Sequence, residues 1–112
     1  MPHTNARSKN YLEGQGYKAF IVEKFVTFAN KRFDFAGFAD ILAFRSDKMG
    51  VLAVQATTGN HVQDHIQKLG ANAHLEAWLH AGNRLIIHVW AKRGERGERK
   101  LWQCREIIYV RT

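Results

Sequence analysis

The sequence predicts a single α/β (α+β) domain, with a mixed central sheet, an αβββαβ core and helices packed on the sheet. Three observations carry this. Two short apolar runs lie within Phe35 to Thr58 (FAGFADILAFRSDKMGVLAVQATT), parted by Arg45-Ser46-Asp47-Lys48-Met49-Gly50, which has the polarity and terminal glycine of a hairpin loop. Val62, Ile66 and Leu69 then follow the i, i+4, i+7 spacing of a buried helical stripe. RLIIHVW, from Arg84 to Trp90, is the clearest strand of all, so three sequential strands are followed by a helical crossover back to the sheet.

In chain order, Met1 to Arg7 reads as polar and loose, with Thr4 or Asn5 as N-cap of a helix through Tyr11 and Leu12 that stops near Gly14-Gln15-Gly16. Tyr17 to Phe28 reads as one aromatic, β-branched strand. Glu23 inside it faces either solvent beside Lys24 or the polar site around Asp40. Asn30-Lys31-Arg32 is a basic turn leading through Asp34 and Gly37 into the strand that Asp40 opens. Beyond the third strand, Gly59-Asn60 breaks the extended run and Asn60 is placed to cap a helix from His61. Gly70 interrupts that helix, Asn72 restarts it through Leu75, Trp78 and Leu79, and Gly82 stops it. Lys92 to Lys100 (KRGERGERK) is a charged turn, and Leu101 to Tyr109 returns as the last strand.

At 112 residues the chain builds one core, so one domain is expected over 1–112. No apolar run approaches the roughly 20 residues of a spanning helix, and the first residues lack the apolar segment of a signal peptide. A cytoplasmic protein that makes no use of a membrane is therefore expected. The single Cys104 has no internal disulfide partner and sits in a strand-like stretch, where cysteine behaves as a small hydrophobe. With 17 Lys and Arg against 10 Asp and Glu, the formal charge is +7, a field that attracts polyanions, nucleic acid above all. Lys31, Arg32 and the Lys92, Arg93, Arg96 and Arg99 cluster of the charged turn are candidate phosphate contacts.

Strand alternation places Val51, Ala53, Gln55 and Thr57 on one face. In an antiparallel pair the start of one strand lies beside the end of the next, so Asp40 meets Gln55 and Thr57 at one end of the hairpin. A carboxyl, an amide and a hydroxyl gathered at the end of two hydrophobic strands are either hydrogen-bonded structure or a working site. On the following helix His61, His65 and Lys68 form a basic stripe beside the core stripe. His61 and His65 have the i, i+4 spacing of a helical metal pair, but the H-E-x-x-H pattern and supporting cysteines of a zinc site are lacking. No P-loop or dinucleotide-type glycine pattern occurs.

The order αβββαβ, with Gly37-Phe38-Ala39-Asp40 opening the second strand and Gln55-Ala56-Thr57 closing the third, resembles the PD-(D/E)XK nuclease superfamily. Within it, the small Holliday junction resolvases and phage nuclease-like proteins are similar in size and layout. The resemblance spans roughly Asn10 to Trp90 and implies a restriction-endonuclease-like fold that cleaves DNA, branched DNA included, with Mg²⁺ (or Mn²⁺), working as a homodimer in a bacterial or phage-infected cell. It places Asp40 at the family's aspartate, and Gln55 and Thr57 where the second carboxylate and the lysine stand. Glu23, or Glu13 on the first helix, matches the upstream acid, which makes Asp40, Gln55 and Glu23 the implied metal ligands. Gln55 brings a carbonyl oxygen without charge and Thr57 no ammonium, so Lys68 becomes the substitute cation, and His65 a base or phosphate contact. The same departures leave open a nuclease fold that binds DNA, or supports an assembly, without cutting.

Overall fold

A computed structural model describes residues 3–110, which form α1 (His3–Gly14), β1 (Lys18–Ile21), β2 (Lys24–Val26), β3 (Lys31–Phe33), β4 (Ile41–Phe44), β5 (Leu52–Thr58), α2 (Val62–Gly70), α3 (Leu75–His80), β6 (Arg84–Arg93) and β7 (Leu101–Ile108). The fold is mixed α+β. Five strands form one sheet in the order β1-β4-β5-β6-β7, and β2 and β3 form a separate two-stranded ribbon. Only β5 and β6 are parallel, joined by the crossover through α2 and α3, and the other three pairs are antiparallel.

Helices on both faces explain why β5 is buried at every position but its last. Leu52 and Val54 pack with Leu12, Ile41 and Ala43 under α1. Ala53 points the other way and joins Phe38, Leu69, Leu75, Leu85 and Ile87 under α2 and α3. Asp40 and Gln55 lie on this second face by alternation.

Helix α1 is held to the sheet by a buried polar network. Trp90 Nε1 donates to Ser8 Oγ at 2.7 Å, and Ser8 Oγ shares a hydrogen bond with His88 Nδ1 at 2.9 Å. His88 Nε2 lies 3.4 Å from Glu106 Oε2. Tyr11 packs edge-on against both rings. Ser8→Ala strands the indole N–H and the imidazole Nδ1 without partners in a dry site, so we expect a loss of about 2–4 kcal/mol in urea unfolding. A loss under ~1 kcal/mol would mean that water enters and repairs the network.

Several expectations are corrected. The helix begins at His3, so the segment expected to be loose is helical from His3 to Arg7, and Met1 and Pro2 lie outside the described residues. Asn5 sits inside α1, and its amide reaches Glu23 instead of capping the helix. The strand expected over Tyr17 to Phe28 stops at Ile21, because the N–H groups of Val22 and Glu23 both donate to Asp40 O and turn the chain out of the ladder. The apolar stretch beyond continues as the β2–β3 hairpin, so Lys31 and Arg32 belong to a strand and only Asn30, at φ 48°, to the turn. A 3₁₀ turn over Gly59–His61 precedes α2, with no side-chain cap from Asn60. Asn72 does restart the chain, its Oδ1 accepting from the N–H groups of His74 and Leu75. No helix of the described residues is long and apolar enough to cross a membrane.

Candidate functional site

At one end of the sheet β1 finishes, β4 begins, and β5 and β6 both finish. The register Ile41↔Val54 sets Asp40 opposite Gln55, as the strand pattern predicts. Asp40 is delivered there by a tight loop in which Ala36 and Gly37 have φ of 54° and 81°, and Phe35 bridges to Ala39. Asn72 Nδ2 ties this loop to the α2–α3 connection through Ala36 O. The positive φ favours glycine at 37, and a Cβ there would stand 2.8 Å from that same amide and push it off Ala36 O.

The result is a cavity of about 300 Å³. Three carboxyl residues line it: Asp40 from β4's threshold, Glu23 from the β1–β2 turn, and Asp34 from the end of β3. Gln55 forms part of the wall, and His65 and Lys68 reach it from α2. Arg32 and Asn5 complete it and hold Glu23, each donating to Oε1 at 3.2 Å. Asp40 Oδ2 accepts from Ala56 N–H at 3.0 Å, which fixes the carboxyl against the sheet. Of the cavity's described side chains, two leave a buried polar atom without a partner, Gln55 Oε1 and His65 Nδ1.

Electrostatics follow from this crowding. Burial, then the charges of Glu23 and Asp34, raises the Asp40 pKa to about 7, against the opposing Ala56 hydrogen bond. Burial also raises Asp34, partly offset by its own and Gly37's backbone N–H groups and by Lys68. His65 is pushed down by burial and then by the Lys68 and His61 charges, so it is neutral at neutral pH.

For Asp40 the folded pKa lies above the unfolded one, so its stabilising effect is complete below the unfolded value of 3.8 and is lost as pH rises through about 7. Asparagine keeps the acceptor for Ala56 N–H and offers Glu23 a donor, without the charge. In the absence of divalent cations, Asp40→Asn is therefore expected to be more stable than wild type by ~2–4 kcal/mol at pH 8, with the gain vanishing near pH 4. Urea unfolding at several pH values checks this. A difference independent of pH would place the carboxyl in water.

The predicted residues divide. Asp40, Gln55, Glu23, Lys68, His65 and Arg32 converge on the cavity, and so Glu23 faces the site. Thr57 does not line it: pairing with β4 ends at Val54, and Thr57, three residues on and buried, donates its hydroxyl to Thr58 O at 3.3 Å. His61 is exposed in the 3₁₀ turn outside the cavity, and Glu13 is engaged with Lys9 on α1. Lys92, Arg93, Arg96 and Arg99 lie apart from it but leave from the same sheet end, because parallel pairing sets Trp90 beside Thr58. Sequence reasoning missed Asp34 and Asn5 as site residues. No three His, Cys, Asp or Glu side chains among the described residues are arranged to hold a metal ion. A larger groove of about 700 Å³ beside α3 and the β7 end is lined mainly by aliphatic groups such as Leu79, Ile108 and Val110 and lacks convergent carboxyls.

No protein-family model matches the chain, and no curated protein or solved structure matches it either. The cavity's own chemistry is therefore the basis for a functional reading.

Proposed function

We propose that the chain is a metal-dependent endonuclease that hydrolyses DNA phosphodiester bonds, branched DNA included, in a PD-(D/E)XK-like and hence restriction-endonuclease-like arrangement. A homodimer in the cytoplasm of a bacterial or phage-infected cell goes with this reading. The observation that carries it is the cavity at the β4–β5 end, where Asp40, Glu23 and Asp34 meet Lys68 and an unpaired Gln55 oxygen inside a basic chain.

The donor set suits a hard divalent cation. Asp40 and Glu23 supply carboxylate oxygens and Gln55 Oε1, buried without a partner, a neutral one. A bound Mg²⁺ or Mn²⁺ would polarise the phosphodiester and ease deprotonation of a water. The chain's own groups do the rest. Asn5 and Arg32 orient Glu23, the Ala56 N–H orients Asp40, and Lys68 offsets negative charge developing on the phosphate. Neutral His65 is able to accept a proton at the cavity wall. Lys31, Lys92, Arg93, Arg96 and Arg99 hold the flanking backbone.

Labelled duplex, single-stranded, flap and four-way-junction DNA, each incubated with Mg²⁺, Mn²⁺ or EDTA, test this. Cutting that needs the metal supports the enzyme. Binding without cutting in any metal supports a second reading, a DNA-holding or assembly module. That reading has its own observation: Glu23 is already committed to Asn5 and Arg32, and no three-ligand metal group is closed among the described residues.

A further inference from the structure

The β2–β3 hairpin contributes little to either core cluster and carries large rings in water. Phe28, in its turn, is 95% exposed, and Phe25 and Phe33 are 51% and 44% exposed. Cross-strand pairing joins Phe25 to Arg32 and Lys24 to Phe33. Phe25 and Arg32 thus share one face, and Arg32 is a wall of the cavity. The Arg32 guanidinium lies 5.9 Å from the Phe25 ring centre, and the Lys31 ammonium 5.5 Å from that of Phe33. Each face of the hairpin therefore pairs a cation with a ring. Its base meanwhile supplies Glu23, Arg32 and Asp34 to the cavity.

We propose that this hairpin is a stacking arm for unpaired DNA bases, Phe25 and Phe28 receiving bases next to the phosphate held in the cavity. The assignment rests on the cavity being a phosphodiester site and narrows its substrate to DNA with bases free to unstack there: single strands, flaps or branch points. Rings stack on any base, and adjacent cations hold the backbone, so sequence is not read. An exposed aromatic at a turn also enters a loosened base step as a wedge. Charge selects this occupant over a second copy of the chain. A self-made interface would gather the like charges of Lys24 and Lys31 from both copies, whereas a nucleic-acid strand neutralises them.

The test uses the full chain in EDTA, so that nothing is cut, with oligonucleotides carrying 2-aminopurine in a single strand, at a branch point or inside continuous duplex. Binding of the single-stranded and branched probes by wild type should change the fluorescence of the base, and Phe25→Ala/Phe28→Ala should weaken binding about 10- to 100-fold. Duplex affinity should move less than about threefold. Both side chains are exposed, so the variant is expected to fold, and Phe25→Trp/Phe28→Trp should restore binding. Equal losses on all three probes, or none, overturn the assignment. So does an unchanged fluorescence response accompanied by conversion of a wild-type dimer to monomers, which would make the hairpin a self-association arm. Wild type that cuts DNA while ignoring the double substitution removes this inference alone, whereas failure to bind any probe removes the nuclease reading with it.

Discussion

Asp40→Asn is expected to bind DNA and fail to cut it, with the single-turnover rate reduced about 10²- to 10⁴-fold at saturating Mg²⁺. Of the cavity's three acids, Asp40 is the one fixed to the five-stranded sheet: its N–H donates to Val54 O at 2.9 Å and its Oδ2 accepts from Ala56 N–H at 3.0 Å. Glu23 and Asp34 stand on the turns around the hairpin, and the Glu23 carboxyl is held by the side chains of Asn5 and Arg32 rather than by the sheet. Asparagine preserves shape and the Ala56 bond, and what disappears is charge. DNA affinity measured by anisotropy in EDTA should hold or tighten by a few fold, since a negative group facing phosphate has gone. An uncut substrate that is also unbound would point to lost structure, which the stability gain expected at pH 8 already argues against. Undiminished cutting would sink the assignment of Asp40.

The meeting of Asp40 with Gln55 was legible because it depends only on alternation and antiparallel pairing, both local rules, and the crossover after Thr58 was legible from the Val62, Ile66 and Leu69 stripe. The break after Ile21 was not. β2 is itself extended and carries Phe25 and Val26, so the pattern continues through the break, and the cause is a tertiary contact, the Val22 and Glu23 N–H groups closing on Asp40 O. Asp34 was hidden for a related reason. It stands six residues before Asp40, which along an extended strand would leave the two roughly 20 Å apart, and only the tight turn at Ala36 and Gly37 folds the two acids together. A second acid just ahead of a glycine turn that leads to the first was the available signal. Asn5 carried none, because its role depends on where the Ser8 and His88 contact docks α1. Thr57 falls outside the cavity because alternation assigns a face but not a depth, and the cavity closes before β5 does.

Lys68→Ala is expected to cost about 10²- to 10³-fold in single-turnover rate while changing DNA affinity only a few fold. The cavity holds two strong cations, and Arg32 is bound to Glu23, 3.2 Å away. Lys68 has no such commitment in the described hydrogen bonds and ion pairs, and its charge is felt by Asp34 on one side and His65 on the other. The i, i+3 spacing on α2 sets it one turn from His65, so both enter from the same helix face. Thr57 has no charge to offer and is buried outside the cavity, so on the proposed reading the uncommitted cation for a phosphate is the one α2 brings. Lys68→Arg should recover part of the rate, because the charge returns with a different reach and geometry. His65→Ala should cost less than Lys68→Ala, since a neutral imidazole stabilises no anion by charge. Rates and binding measured across salt concentration separate the roles. A Lys68 that only grips the backbone would lower the salt slope by about one and leave the rate of bound DNA untouched, and that result would remove it from the chemistry.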